Sequence, residues 1–278
     1  MPDRIRVACV QLRSRADKAA NLERAERLVA RAAAGGADVV VLPEKWNVIG
    51  DRDVLFEAAE LLEGGESVAA MSGWARSHGI TLIGGSITER REGRAKLSNT
   101  SVVFGPDGAV AALYRKIHLF DVDVGGHAYR ESEAEEAGDE PVAVEAEGWT
   151  VGLTICYDLR FPELFRILAL EGAELVAVPS NFTLFTGKDH WHVLLRARAI
   201  ENQCYVAAAA QVGETRPGRP SYGRSLVADP WGLVLVQAPD EETVVVADVD
   251  RAHVDEVRRT LPSLHSRRPE AYRRAVRA

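Results

Sequence analysis

The chain has 278 residues, of which 46% are hydrophobic and 27% are charged, and its formal net charge is −7. This balance is typical of a globular protein, and the lack of a long basic block excludes a nucleic-acid partner. No apolar run reaches the roughly 20 residues that a membrane-spanning helix needs, so we expect no membrane partner.

The same order of predicted elements occurs twice along the chain. In the first half the patterns predict a strand over 5–12, a helix over 18–34, a strand over 39–42, a helix over 67–78, a strand over 80–87 and a strand over 101–104 that ends in a Gly-Pro-Asp-Gly turn. In the second half they predict a strand over 150–155, a helix over 162–171, a strand over 175–178, a helix over 191–202, a strand over 204–212 and a strand over 225–228 that ends in an Asp-Pro-Trp-Gly turn. The segment 116–149 has no counterpart, and its acidic residues predict a solvated loop.

The predicted strands are mostly continuous apolar runs, which are typical of sheets covered on both faces. Two such halves can place helices on one face of each sheet and stack the other faces together. We therefore expect an α/β fold, a four-layer α-β-β-α sandwich of two pseudo-repeated halves, in a single domain over 1–278. The alternative is an ordinary doubly wound sheet whose halves resemble each other by coincidence. The stretch 251–278 is expected to form a C-terminal helix and an extended tail.

Cys156 is the most informative residue, because an apolar strand ends just before it and a helical pattern starts a few residues later. A thiol at this point lies near a helix N-terminus, whose dipole favours the thiolate form. The alternative is a small buried core residue, which is how we interpret Cys9 and Cys204 in their apolar strands. Three cysteines do not make a disulfide framework, and they favour a reducing, cytoplasmic compartment.

Glu44 and Lys116 are the best candidates to assist such a thiol. Glu44 follows the strand that ends at Pro43. A partly desolvated carboxylate at that sheet edge is suited to act as a general base. The alternative is that Glu44 caps a helix or faces solvent. Lys116 is a rare lysine in an arginine-rich chain, and a compact ammonium suits a developing oxyanion, although most lysines are surface residues. His190 and His192 are not expected to bind a metal, because no Cys or His cluster accompanies them.

Three motifs occur in the order that one known family shows. They are Pro43-Glu44, the run Tyr114–Asp121 and the run Cys156–Glu163. With these motifs the chain resembles the nitrilase superfamily of carbon–nitrogen hydrolases over nearly its whole length. It is most similar to the branch of omega-amidases and deaminated glutathione amidases, as judged from runs that include His190-Trp191, Asp229-Pro230-Trp231-Gly232 and Arg267-Arg268-Pro269.

The resemblance implies a catalytic triad of Glu44, Lys116 and Cys156 that needs no metal and no organic cofactor. It also implies a second glutamate, Glu131, near the site, and an oxyanion hole that the backbone N–H of Tyr157 completes. The acidic stretch after Glu131 lacks the Pro-Gly pair that is usual in the branch, so the register of this glutamate stays open.

Residues expected to shape the pocket depart from the branch, which leaves the exact substrate open. Arg224 stands where histidine is usual, and Asn181 stands where a small residue is commoner. Arg160 or Arg224 is the expected cation for a substrate carboxylate, unless Arg160 instead pairs with a structural carboxylate such as Glu163.

The sequence therefore predicts a cysteine-dependent amidohydrolase that releases ammonia from a primary amide through a thioester. The expected substrate is small and bears a carboxylate, such as deaminated glutathione or an α-keto-acid omega-amide. A broader aliphatic amidase or an N-carbamoyl amide hydrolase is the first alternative, and a non-catalytic scaffold is the second. The resemblance also implies a homodimer or a larger homo-oligomer, with the helix after Cys156 and the C-terminal tail at the interface.

Overall fold

The computed structural model describes residues 2–272. Short 3-10 helices span Glu131–Glu133 and Cys156–Arg160. The α-helices are α1 (Lys18–Ala34), α2 (Arg52–Ala58), α3 (Glu66–His78), α4 (Pro162–Leu170), α5 (Leu184–Asn202), α6 (Arg251–Thr260) and α7 (Pro269–Tyr272). The strands are β1 (Arg4–Gln11), β2 (Val39–Val41), β3 (Thr81–Ile83), β4 (Ile87–Glu89), β5 (Ser98–Phe104), β6 (Val110–Arg115), β7 (Asp121–Val124), β8 (His127–Arg130), β9 (Val142–Ala146), β10 (Trp149–Leu153), β11 (Leu175–Ala177), β12 (Tyr205–Ala208), β13 (Val212–Arg216), β14 (Arg219–Tyr222), β15 (Leu226–Ala228), β16 (Val234–Gln237) and β17 (Thr243–Asp250).

Two sheets with the same topology reproduce the predicted repeat. In the first sheet the parallel strands β1, β2 and β3 lie side by side and are followed by antiparallel β5 and β6. In the second sheet β10, β11 and β12 are parallel and are followed by antiparallel β15 and β16. An antiparallel strand borders the first strand of each set, β17 beside β1 and β9 beside β10. The repeat in the sequence is therefore also a repeat in topology.

Alternate residues of β1 face two different cores, as a sheet covered on both sides requires. Val7 and Cys9 belong to a buried cluster shared with the second sheet, whereas Ala8 and Val10 belong to a cluster shared with α1 and α3. Helices α4 and α5 pack on the second sheet. This arrangement is the predicted four-layer α-β-β-α sandwich and not the doubly wound alternative. Cys9 and Cys204 are both fully buried, as predicted.

Helix α1 illustrates how the local sequence builds these layers. The carboxylate of Asp17 accepts a hydrogen bond from the N–H of Ala20 at 3.1 Å and caps the first turn. Buried Ala25, Val29 and Ala32 recur at helical spacing. They face the buried cluster that contains Ala8 and Val10 of β1. Burying one such valine side chain contributes roughly 1.5–3 kcal/mol.

The strand predicted over 80–87 is interrupted by two glycines, and this interruption concerns the turn that carries Glu44. It ends at Ile83, because Gly84 and Gly85 turn the chain, and Gly85 has a φ of +56°. A Cβ at Gly85 would collide with the carbonyl of Pro43. The glycine therefore lets the end of β3 approach the turn that carries Glu44.

Other predicted segments also differ in extent, and the strand predicted over 204–212 ends at Ala208. Helix α5 begins at Leu184 rather than near 191, because the hydroxyl of Thr183 caps it by accepting the N–H of Thr186 at 3.3 Å. The helix expected within 251–278 is present as α6. Residues 273–278 of the predicted tail lie outside the described part of the chain.

Two hairpins that have no counterpart in the repeat lie near the strand ends that carry Glu44 and Cys156. The segment 116–149, expected as a loop, contains the β7–β8 hairpin, the 3-10 helix with Glu131 and the edge strand β9. The second hairpin joins β13 to β14 and carries Arg216 and Arg219 at one register position. These hairpins supply residues to the cavity described below.

Candidate active site

The turn after β10 presents Cys156 at the sheet edge. Cys156 has a φ of +48°, in the left-handed region that non-glycine residues rarely adopt. Its N–H donates to the carbonyl of Pro179 at 2.8 Å, which ties the turn to the end of β11. A sharp strand-to-helix turn of this kind exposes the nucleophile in other hydrolase folds. Helix α4 then starts at Pro162, a residue suited to the first helical position.

The buried carboxylate of Asp158 holds this turn in place. Its Oδ2 accepts the N–H of Ile155 at 2.8 Å and the hydroxyl of Tyr114 at 2.6 Å. Its Oδ1 accepts the N–H of His118 at 3.1 Å. Because Tyr114 and His118 flank Lys116 in the sequence, Asp158 fixes the cysteine turn and the lysine segment to each other.

Glu44 lies just beyond β2 and is only 2% exposed, and hydrogen-bond donors surround its carboxylate. Its Oε1 accepts from the Nζ of Lys116 and from the Nδ2 of Asn99, each at 2.9 Å. Its Oε2 accepts the N–H of Asn181 at 2.9 Å. The thiol of Cys156 lines the same cavity, and the negative charge of Glu44 raises the pKa of that thiol. The carboxylate is therefore positioned to take the thiol proton.

Lys116 lies between two carboxylates and is 1% exposed. Its Nζ donates to Oε1 of Glu44 at 2.9 Å and to Oε2 of Glu131 at 2.8 Å. Burial lowers the pKa of Lys116, but the charges of Glu131 and Glu44 outweigh burial and raise that pKa well above its ordinary value. The lysine is therefore a fixed cation beside the cysteine.

Glu131 is the second glutamate that the resemblance implied, and it does reach the site. Besides Lys116, its Oε2 accepts the N–H of Phe120 at 2.8 Å. Burial raises the pKa of Glu131, but the charges of Lys116 and Lys45 lower it to about 2. The carboxylate is consequently ionised at neutral pH.

A second buried ion pair, which the sequence analysis missed, extends this network. The Nζ of Lys45 lies 2.6 Å from Oε1 of Glu135 and 3.6 Å from Oε1 of Glu131. Burial raises the pKa of Glu135, and the charge of Lys45 only partly offsets this effect. Two lysines and three glutamates thus form one buried network, whose members are Glu44, Lys45, Lys116, Glu131 and Glu135.

Burial opposes the thiolate form that the helix dipole favours at Cys156. Burial raises its pKa well above the ordinary value, and the negative charge of Glu44 raises it further, while Lys116 lowers it only in part. The group at rest is therefore a thiol, and a base must remove its proton when it attacks. Glu44 lines the same cavity as the thiol and is the candidate base.

These side chains line one cavity of about 170 Å³. Of the residues singled out from the sequence, the cavity is lined by Glu44, Lys116, Glu131, Cys156 and Asn181. The more exposed side of the cavity, called its mouth below, is lined by four arginines that the sequence analysis did not select, namely Arg52, Arg130, Arg216 and Arg219. The volume is below the roughly 300 Å³ at which typical drug-sized ligand pockets begin.

The other predicted substrate-binding residues do not line this cavity. The ring of Tyr157 packs against Phe120, with ring centroids 5.0 Å apart, and its predicted role concerns the backbone N–H. The guanidinium of Arg160 contacts Nδ1 of His190 at 3.2 Å. Arg224 pairs with Asp240 at 2.6 Å.

Neither a metal centre nor a membrane-spanning helix is evident in the part of the chain that the structure describes. Within residues 2–272, no group of three His, Cys, Asp or Glu side chains is arranged to hold a metal ion. None of the helices in that range combines the length and apolarity needed to cross a bilayer.

Known proteins with similar sequences cover almost the whole chain. A family model described as carbon–nitrogen hydrolase matches residues 6–259. Omega-amidase NIT2 of Mus musculus is 42% identical over 268 residues, which are 96% of this chain and 96% of the mouse protein. Omega-amidase NIT2 of Danio rerio is 43% identical over 270 residues, which are 97% of this chain and 96% of the fish protein.

Solved structures place the fold in the same family. The NitFhit protein of C. elegans has a TM-score of 0.89 and 38% identity, and the match covers 97% of this chain and 66% of that chain. Nit3 of Saccharomyces cerevisiae, a member of branch 10 of the nitrilase superfamily, has a TM-score of 0.86 and 34% identity, covering 93% and 94%. An amidase of Nesterenkonia has a TM-score of 0.82 and 28% identity, covering 98% and 96%. The chain therefore belongs to the carbon–nitrogen hydrolase family of the nitrilase superfamily and is an amidase.

Proposed function

We propose that the protein hydrolyses the primary amide of a small carboxylate-bearing substrate and releases ammonia through a thioester on Cys156. The single observation that carries this proposal is the position of Lys116 between Glu44 and Glu131 in the cavity that Cys156 lines. A base, a nucleophile and a fixed cation are the groups that acyl transfer requires. A non-catalytic scaffold has no need to place five charged side chains in the cavity that one thiol lines.

The first half of the proposed reaction forms the acyl-enzyme. Glu44 takes the proton of the thiol as the sulfur attacks the amide carbonyl carbon. The Nζ of Lys116 and the N–H of Tyr157 stabilise the tetrahedral oxyanion, and loss of one such donor costs about 10²–10³ in rate. Protonated Glu44 then gives its proton to the leaving nitrogen, so that ammonia departs and the thioester remains.

The second half hydrolyses the thioester. Glu44 accepts a proton from a water molecule that attacks the thioester carbonyl, and Glu131 helps to position that water and Lys116. The oxyanion collapses, the bond from carbon to sulfur breaks, and the proton held by Glu44 returns to the sulfur. The products are a carboxylic acid and the free thiol.

The size of the cavity favours the smaller of the predicted substrates. Its volume of about 170 Å³ is smaller than that of a typical drug-sized ligand pocket. An α-keto-acid omega-amide fits such a volume better than deaminated glutathione does. The NIT2 relatives are also named for omega-amidase activity.

The test is an ammonia-release assay with 2-oxoglutaramate, deaminated glutathione and an N-carbamoyl amino acid. We expect turnover of the first two, with 2-oxoglutaramate preferred, and no activity in Cys156→Ala. Cys204→Ala, which changes a buried cysteine away from the cavity, serves as the matched control and should remain active. Turnover of the N-carbamoyl amino acid alone would favour the alternative hydrolase, and full activity of Cys156→Ala would refute the mechanism.

We also propose that the protein is a cytoplasmic homodimer or larger homo-oligomer. The helix after Cys156 supports this, because Ile167 and Leu170 of α4 are 41% and 52% exposed. On α5, Val193 and Ile200 are likewise exposed. Apolar side chains exposed on two adjacent helices are typical of an interface. Analytical ultracentrifugation of the protein and of Leu170→Glu tests this proposal, and a monomeric parent protein would contradict it.

A further inference from the structure

Two arginines face each other across the β13–β14 hairpin at the mouth of the catalytic cavity. Arg216 and Arg219 occupy the same register position of the hairpin, and both line the cavity. An Nη1 of Arg216 donates to the carbonyl of Gly50 at 3.2 Å. The guanidinium of Arg219 lies 5.1 Å from the ring centroid of Tyr129.

Among residues 2–272, three arginines at the cavity form no ion pair with a carboxylate, namely Arg216, Arg219 and Arg52, whose guanidinium lies 4.9 Å from the ring centroid of Phe56. Lys45 and Lys116 are paired with buried glutamates, and Arg130 is paired with Asp123. Among residues 2–272, neither Arg216 nor Arg219 forms an ion pair with a carboxylate, and their contacts are a carbonyl and an aromatic ring.

The electrostatic surroundings of Arg216 favour a bound anion. Burial lowers the pKa of Arg216 and the charge of Arg219 lowers it further, and the charges of Glu131 and Asp51 offset this lowering only in part. Asp51 and Glu133 line the same mouth, but Asp51 caps helix α2 through its carboxylate, and both residues are exposed. A partly buried cation without a partner is costly unless an anion neutralises it. Planar guanidinium groups bind carboxylates in a bidentate manner.

On the basis of the proposed function, we infer that Arg216 and Arg219 bind the carboxylate at the far end of the substrate. The amide carbonyl then lies at Cys156, and the hairpin determines the preference for omega-amides of dicarboxylic acids over neutral amides. This assignment replaces Arg160 and Arg224, which lie outside the cavity lining.

The experiment compares two probes of the same shape. Succinamate carries a carboxylate, and succinamide carries a neutral amide in its place; rates are corrected for the two equivalent amides of succinamide. Ammonia release should show a wild-type preference for succinamate. In Arg216→Gln and in Arg219→Gln, kcat/KM for succinamate should fall about 10- to 100-fold, as for loss of a charge-assisted hydrogen bond, while succinamide is unaffected.

Binding to the inactive Cys156→Ala protein separates this inference from the proposed reaction. Calorimetry should show a matching loss of succinamate affinity when Arg216→Gln or Arg219→Gln is added, even if no amide is ever turned over. The inference is overturned if the wild type does not prefer succinamate, or if the double variant Arg216→Gln/Arg219→Gln keeps that preference. Equal loss with both probes, or loss of preference in Arg160→Gln or Arg224→Gln, also overturns it.

Discussion

Replacing Glu131 by glutamine tests whether the second glutamate works through its charge. The wild-type carboxylate accepts from Lys116 Nζ and from the N–H of Phe120, each at 2.8 Å, and lies 3.6 Å from Lys45. Glutamine keeps the shape and one acceptor oxygen but removes the negative charge. The change therefore isolates electrostatics from packing.

The expected loss of stability follows from the pKa of Glu131. Its value is about 2, against an ordinary value of 4.5, and this difference corresponds to about 3 kcal/mol. Because the pKa is depressed in the folded state, this stabilisation is complete above about pH 4.5 and is lost as the pH falls towards 2. The free energy of unfolding of Glu131→Gln should therefore lie below that of the wild type by a constant amount from neutral pH to about pH 5, and the difference should shrink at lower pH.

Activity should fall as well, because Lys116 keeps only Glu44 as an anionic partner in Glu131→Gln. We expect kcat to fall by about 10²-fold with little change in KM, as for a misplaced catalytic group. Urea unfolding between pH 7 and the acid range, together with ammonia release, measures both effects. Glu133→Gln is the matched control, because Glu133 is exposed in the same 3-10 helix. The reasoning is refuted if both variants behave alike, or if the deficit does not shrink in acid.

Three further predictions concern other parts of the network. Because the thiol pKa of Cys156 is raised, its alkylation by iodoacetamide should accelerate about tenfold per pH unit above neutrality, and a rate that is flat from pH 6 to 8 by mass spectrometry would contradict this. Lys45→Met should cost about 3–5 kcal/mol in urea unfolding, because it leaves Glu135 buried without its partner. Lys45→Met/Glu135→Leu should recover most of that loss, and equal destabilisation of single and double variants argues against a buried pair. Tyr114→Phe should destabilise the protein by about 1–3 kcal/mol and lower kcat, because Asp158 loses a donor at 2.6 Å; unchanged stability and kcat would exclude this anchoring role.

The site residues that could be predicted from the sequence lie just after the end of a strand. Glu44 follows β2 and Cys156 follows β10, and the ends of parallel strands meet at one edge of each sheet. Such a placement depends on the apolar pattern of the strand, which is visible in the sequence. Glu135 belongs to an acidic run, and nothing in that run distinguishes it from exposed Glu133. Only the folded path of the loop buries Glu135 beside Lys45.

Arg160 and Arg216 also show that sequence position alone does not identify the residues that line the cavity. Arg160 is close to Cys156 in the sequence, but the 3-10 helix that follows the cysteine directs its guanidinium to His190 on α5. Arg216 is distant in sequence and lies in a hairpin that the repeat does not contain. The Arg-Pro-Gly-Arg sequence of the 216–219 turn was the available signal, because a Pro-Gly turn brings the flanking side chains opposite each other.

The pseudo-symmetry of the two halves explains why neither half contains the site alone. Asn181 follows β11, one position beyond the counterpart of Glu44 after β2, and its N–H donates to the Glu44 carboxylate at 2.9 Å. Corresponding strand ends therefore meet across the two stacked sheets. The base comes from the first half, the nucleophile from the second, and Lys116 lies on the segment after β6 that Asp158 joins to the cysteine turn. Stacking two copies of one topology thus creates the dry cleft, and the differences between the copies provide its chemistry.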